Sequence, residues 1–276
     1  MNSPKTEIKE RAETHGAFTV VELLVVIGTV ALLAMMLLPA LAGSRPNGQM
    51  LQCRNNLRQL QLGWLAYSAD FAETICPTEG TANTGAPNWC GPSRMDLFGE
   101  DTDANDLQQG LLWPYVKSLG PYKCPADPKL SQSNQKRPTV RSVSMNAWMN
   151  PVLPLSSQGL SGPCRVFRKQ GDISGAMSPA KCWTFLDEND RTINDGWCIV
   201  AANPSGPNYN SWVDSPATYH LQASTLAFAD GHVEVKRWRD QSLLSGAFIF
   251  LPADATQNPP YADLRWLQER MTVLGN

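Results

Sequence analysis

Hydrophobic and polar positions divide the chain into one long uncharged run and a lengthy, irregular remainder. From Leu23 to Ala42 no residue is charged, and Glu22 stands at the head of that run. About 20 apolar residues suffice for a helix to cross a bilayer, so the pattern predicts a transmembrane helix over about 20–42. Pro39 predicts a kink in it, and Gly43-Ser44-Arg45-Pro46-Asn47-Gly48 a break. Helical spacing resumes at Gln49. Leu51, Leu57, Leu60, Gln61 and Trp64 fall on one side, and Arg54, Asn55 and Arg58 on the other. The helix is therefore predicted over 18–70 and a globular domain over 71–276.

Within that domain, residues 76–163 are punctuated by Pro77, Gly80, Gly85, Pro87, Gly91 and Pro92 and read as loops. Arg141–Met149 and Trp183–Leu186 read as strands. Ser224–Ala229 and His232–Trp238 read as a hairpin turning at Asp230-Gly231, a dipeptide suited to the positive φ of a tight turn. These elements predict an α+β fold, with an antiparallel β-sheet packed on the second half of the helix.

Composition sharpens this picture. With 20 Gly, 21 Pro and 17% charged residues, the domain should be loop-rich with short strands, not a helical bundle. A net charge of −2 gives no electrostatic case for nucleic acid. The apolar run is longer than the core of a signal peptide and lacks a small-residue cleavage site behind it. The seven cysteines are odd in number. An oxidising compartment would permit pairing, with Cys76–Cys90 and Cys164–Cys182 as the preferred pairs, and buried free thiols are the alternative. None of the spacings is C-x-x-C, which argues against a zinc ribbon.

Phe18-Thr19-Val20-Val21-Glu22-Leu23-Leu24 resembles the processing and methylation signature of type IV prepilins and type II secretion pseudopilins. Two further stretches carry the resemblance through the chain, toward the planctomycete and verrucomicrobial type of that family. Cys53-Arg54-Asn55-Asn56-Leu57-Arg58-Gln59-Leu60 resembles its post-membrane helix. Tyr122-Lys123-Cys124-Pro125-Ala126-Asp127 resembles its K-C-P-x-D segment, and His220 followed by Asp230-Gly231 its H-x9-DG element. The resemblance implies a leader, residues 1–17, cut by a prepilin peptidase between Ala17 and Phe18, with Gly16 one step before. Phe18 would then be N-methylated, and Glu22 would be fifth in the mature chain.

The implied protein is no enzyme. It is a subunit of a type II secretion pseudopilus or a type IV pilus-like filament. Its partners would be the prepilin peptidase, other pilin or pseudopilin subunits, the inner membrane, and a secretion or pilus assembly platform. It would be a single-pass inner-membrane protein, N-terminus cytoplasmic, with its domain periplasmic or, after assembly, extracellular. A carboxylate in lipid is costly unless paired, so Glu22 would seek the cationic amine of a neighbouring subunit during assembly.

Other residues suggest chemistry of their own. His220, Asp230 and His232 read either as a metal or proton-transfer set or as structural parts of the hairpin. Asp101 to Asp106 presents oxygen ligands at alternate positions but lacks the glycine and distal acid of an EF-hand. Asp187, Glu188, Asn189, Asp190 and Asp195 form a second acidic cluster. By analogy with the calcium loop of major pseudopilins, it is the candidate calcium site, and a solvated turn is the alternative. A rival functional class is a tethered glycan-binding module in which Trp89, Trp113, Trp148, Trp197 and Trp212 stack on sugars.

Overall fold

The computed structural model describes residues 19–79, 85–92, 94–96, 100–131, 136–153, 155, 164–246 and 251–275, the side chains of 34, 36–46 and 100 excepted. Gly16, Ala17 and Phe18 lie outside the described residues. Helix α1 spans Val20–Asp70. The chain divides into two compact units, Met1–Arg45 and Pro46–Asn276. The predicted break at Gly43–Gly48 is thus not a helix end, and α1 continues through it. The stretch instead coincides with the boundary between the units.

Among the described residues no helix is long and apolar enough to cross a membrane. This overturns the predicted transmembrane helix over about 20–42, and with it the single-pass inner-membrane location. The uncharged run Leu23–Ala42 is part of a 51-residue helix that does not end with it. Further along the same helix come the polar residues Gln49, Gln52, Arg54 and Asn55.

In the second unit, α1 supplies one wall of the core. Cys53, Leu57, Leu60, Trp64 and Tyr67 are buried at alternating spacings of four and three, the stripe along one helical face. Leu51, predicted on this face, is 56% exposed. The stripe packs on Val143, Met145, Phe185 and Ala227 of the main sheet. The strands are β1 (Val143–Asn146), β2 (Trp183–Asp187), β3 (Trp197–Cys198), β5 (Ala223–Phe228) and β6 (Val233–Arg237), in the order β3-β1-β2-β5-β6. Two short strands, β4 (Ser211–Trp212) and β7 (Leu251–Pro252), pair separately.

The sheet is mixed, which corrects the antiparallel prediction. β1–β2, β2–β5 and β5–β6 are antiparallel, but β3 runs parallel to β1. The cause is the connection over 188–196. It returns the chain antiparallel to β2 yet on the far side of β1, and a strand added there must run with β1. β3 is two residues long, too short to show an alternating pattern.

Both faces of the sheet are covered, which is why β1, β2 and β5 read as continuously buried strands. On the face away from α1, Trp183, Leu186, Leu226 and Phe228 join Leu264 and Leu267 of a C-terminal helix (Ala262–Gln268) and Met271. A short helix at Trp113–Val116 packs on α1. The approach is close at Gly63, where a Cβ would lie 2.9 Å from Val116 Cγ2. Tyr115 donates its hydroxyl to Asp70 Oδ2 at 2.8 Å and fixes the end of α1.

Candidate functional site

Four buried side chains converge where α1 meets the sheet. Cys53 comes from α1, Cys124 from the loop before β1, Asp187 from the end of β2, and His220 from the loop before β5. Their sulfur, oxygen and nitrogen donor atoms all lie within 4.8 Å of one another. The Cys53 thiol donates to Asp187 Oδ2 at 2.5 Å, and Cys124 Sγ lies 3.2 Å from His220 Nε2. Thr225, on β5, donates its hydroxyl to Asp187 Oδ2 at 2.6 Å and lies 3.0 Å from Cys53 Sγ. Asp187 Oδ1 is buried and has no hydrogen-bond partner.

Local structure explains the convergence. Cys53 is the first member of the buried α1 stripe. Cys124 is held against the start of β1, because its N–H donates to Ser142 Oγ at 2.7 Å. His220 is turned inward by Leu221 and Gln222, whose φ values of 53° and 66° place two successive non-glycine residues in the left-handed region. Such backbone is uncommon and costs energy that the surroundings must repay.

Burial shapes the chemistry of the four groups. It pushes the Cys53 thiol well above its ordinary range, and the neighbouring Cys124 and the Asp187 charge add to this. It raises Asp187 to about 6, although hydrogen bonds from Cys53 and Thr225 pull the other way. Burial also lowers His220, favouring a neutral imidazole. Four desolvated groups with no cation among them form a costly arrangement, and one whose donors match those of a metal centre.

The predicted site residues fall elsewhere, Asp187 and His220 excepted. His220 and Asp230 stand at opposite ends of β5, so the H-x9-DG spacing is that of one strand and its turn. Asp230 pairs with His232, Oδ1 lying 2.6 Å from Nδ1, and His232 stacks on Phe228. Gly231 has φ 100°, the turn conformation for which its lack of a Cβ is needed.

Members of the acidic cluster take part in local hydrogen bonds. Asn189 Oδ1 accepts from the N–H of Arg191, Asp190 Oδ1 from the Tyr219 hydroxyl, and Asp195 Oδ1 from the N–H of Trp197. Glu188 is wholly buried, and burial pushes its carboxyl up to about 8, the Asp195 charge adding to the effect. In the other acidic run, Asp103 caps the N–H of Asn105, and Asp101 accepts from Ser131.

All seven cysteines are free thiols. The pairs Cys76–Cys90 and Cys164–Cys182 are not formed. Cys76, Cys90 and Cys182 are small apolar groups of the core between α1 and the sheet, while Cys164 borders the core on the sheet's other face. Trp89, Trp148, Trp197 and Trp212 are buried, so they present no face to a sugar, and Trp113 is half-buried.

At the other end of α1, Thr19 and Glu22 form a capping box. The Thr19 hydroxyl accepts the Glu22 N–H at 3.2 Å, and Glu22 Oε2 accepts the Thr19 N–H at 2.9 Å and its hydroxyl at 2.8 Å. Glu22 therefore serves the head of its own helix. Around it Val20, Val21, Leu23, Leu24, Val25, Val26, Ile27 and Val30 are each between 47% and 74% exposed, on every side of the helix.

Sequence reasoning missed Cys53 and Cys124 as partners of His220, because no short spacing links them. The signal was present in another form. The three stretches beginning at Cys53, Tyr122 and His220 each supply one member of the cluster. Compared with known proteins, the chain matches no family model, no curated protein and no solved structure.

Proposed function

We propose that the chain is a prepilin-like filament subunit, cut between Ala17 and Phe18, methylated at Phe18, and assembled with further copies or related subunits through the head of α1. The observation that carries this reading is the exposed apolar surface of Val20–Met35. A helix apolar on all sides is stable in water only when covered. Parallel copies of the same helix at the centre of a filament would cover it around its whole circumference. The order Phe18, Thr19, Glu22 at its head supports the same reading. In it the protein performs no catalysis. A prepilin peptidase acts on it, and a secretion or pilus assembly platform gathers it.

The test is filament incorporation, measured in the sheared surface fraction. Glu22→Ala should leave cleavage intact and impair incorporation. Glu22→Gln retains an acceptor for the Thr19 cap but removes the charge, so it should be impaired as well. Leu24→Ser with Ile27→Ser should abolish incorporation without changing the melting of the second unit. Normal incorporation of these variants would refute the proposal.

A further inference from the structure

We infer that Cys53, Cys124, Asp187 and His220 bind one zinc ion, which clasps α1 to the sheet. The donor set is two sulfurs, one imidazole nitrogen and one carboxylate oxygen, the ligands that zinc takes in closed, four-coordinate sites. With metal–donor bonds of about 2.0–2.3 Å, the edges of such a tetrahedron are about 3.5 Å. The donor atoms lie within 4.8 Å of one another, and Cys124 Sγ and His220 Nε2 are 3.2 Å apart, separations on the scale of those edges. Calcium and magnesium take oxygen ligands, so the sulfurs select against both.

A second observation points to a ligand. Asp187 Oδ1 is buried with no hydrogen-bond partner, in a residue with no exposed surface. Native structures seldom leave such an atom unpaired without a missing ion or water. Thr225 plays the supporting role common around metal ligands, since its hydroxyl holds Oδ2 of the same carboxylate.

All four donors are protein groups and all are buried, leaving no open coordination position. The ion is therefore structural and not catalytic. Its ligands come from segments as far apart as residues 53 and 220, so it would staple the helix, the Cys124 loop, β2 and the His220 loop into one body. The cluster lies wholly within the second unit, and its test does not depend on whether copies assemble.

The experiment uses the full chain. Metal content is measured after purification without chelator, and the chain is separately unfolded, stripped and refolded with Co2+. The expected results are one zinc per chain retained through gel filtration, and a cobalt form showing thiolate-to-metal charge transfer with tetrahedral ligand-field bands. Cys124→Ser combined with His220→Asn should reduce retained metal to background, whereas Cys90→Ser, at a buried thiol outside the cluster, should keep it. Thr225→Val should weaken affinity by about tenfold, as loss of an outer partner does. A folded wild-type chain that takes up neither ion would overturn the inference, as would full retention by the double variant. A Cys53–Cys124 disulfide in the alkylation map would overturn it too. Should the double variant fail to fold, the wild-type metal content and cobalt spectrum decide alone.

Discussion

Leu60→Ala tests the role of α1 as a wall of the domain core. Leu60 has no exposed surface and lies in the stripe that packs on β1, β2 and β5. The substitution deletes three buried carbons, worth about 0.8 kcal/mol each in transfer free energy, or about 2.4 kcal/mol together. The cavity left behind adds to this, because Trp64 and Phe185 nearby are too rigid to collapse fully into it, and the total should fall within about 2–5 kcal/mol. That is a large share of the about 5–15 kcal/mol that holds a typical domain folded.

Leu62→Ala is the matched control. It sits two residues along the same helix but is 54% exposed, so its cost should stay within about 0.5 kcal/mol. Urea unfolding of the full chain, followed by tryptophan fluorescence, reads both. Trp64 is adjacent on the stripe and reports the local environment. Leu60→Ala should lower the midpoint with an unchanged slope, the signature of lost stability and not of a changed unfolded state. Equal midpoints for the two variants would refute the packing of α1 on the sheet.

Three other perturbations probe separate parts of the structure. Gly63→Ala would place a Cβ 2.9 Å from Val116 Cγ2, an overlap costing about 1–3 kcal/mol that offsets or exceeds the about 1 kcal/mol Ala gains over Gly inside a helix, so Tm should not rise; a Tm higher by several degrees would show that the Trp113–Val116 helix does not sit there. Asp240 is buried, caps the N–H of Leu243 and accepts from Trp212 Nε1 and the N–H of Asp254, so Asp240→Ala should cost at least about 3 kcal/mol by leaving three donors unpaired, and a loss below about 1 kcal/mol in chemical denaturation would contradict this. Burial would raise Asp263, but hydrogen bonds from Lys236 and the N–H groups of Arg239 and Asp240 outweigh it and hold the carboxyl below its ordinary value. Its stabilising effect is therefore present above about pH 4 and lost as the pH falls through its lower folded value, so the stability gap between wild type and Asp263→Asn should close in acid; a gap constant with pH would exclude the mechanism.

Local patterns carried much of the domain, and failed where an element was short or a contact distant. The β5–β6 hairpin was legible because Asp230-Gly231 demands a tight turn and its flanks are rich in strand formers. Helical spacing revealed Leu57, Leu60 and Trp64, but Leu51, two residues and so about 200° around the helix from Cys53, lies on the opposite, exposed face. The parallel placement of β3 depends on which side of β1 a loop passes, and no local pattern encodes that. The apolar run at 20–42 misled because hydropathy measures what a segment avoids and not what covers it. The cluster of four was the least legible. Its members are separated by tens of residues and are joined only when the helix, two loops and a strand end meet. What could be read was each member's place in a distinctive stretch.

The central claim is that this chain enters a filament after its head is processed, and the N-terminus of the mature protein tests it most directly. Intact and peptide mass spectrometry should be run on protein from cells with and without the prepilin peptidase. The account predicts a chain that begins with N-methylated Phe18 when the peptidase is present and retains residues 1–17 when it is absent. An uncut chain in both would contradict it.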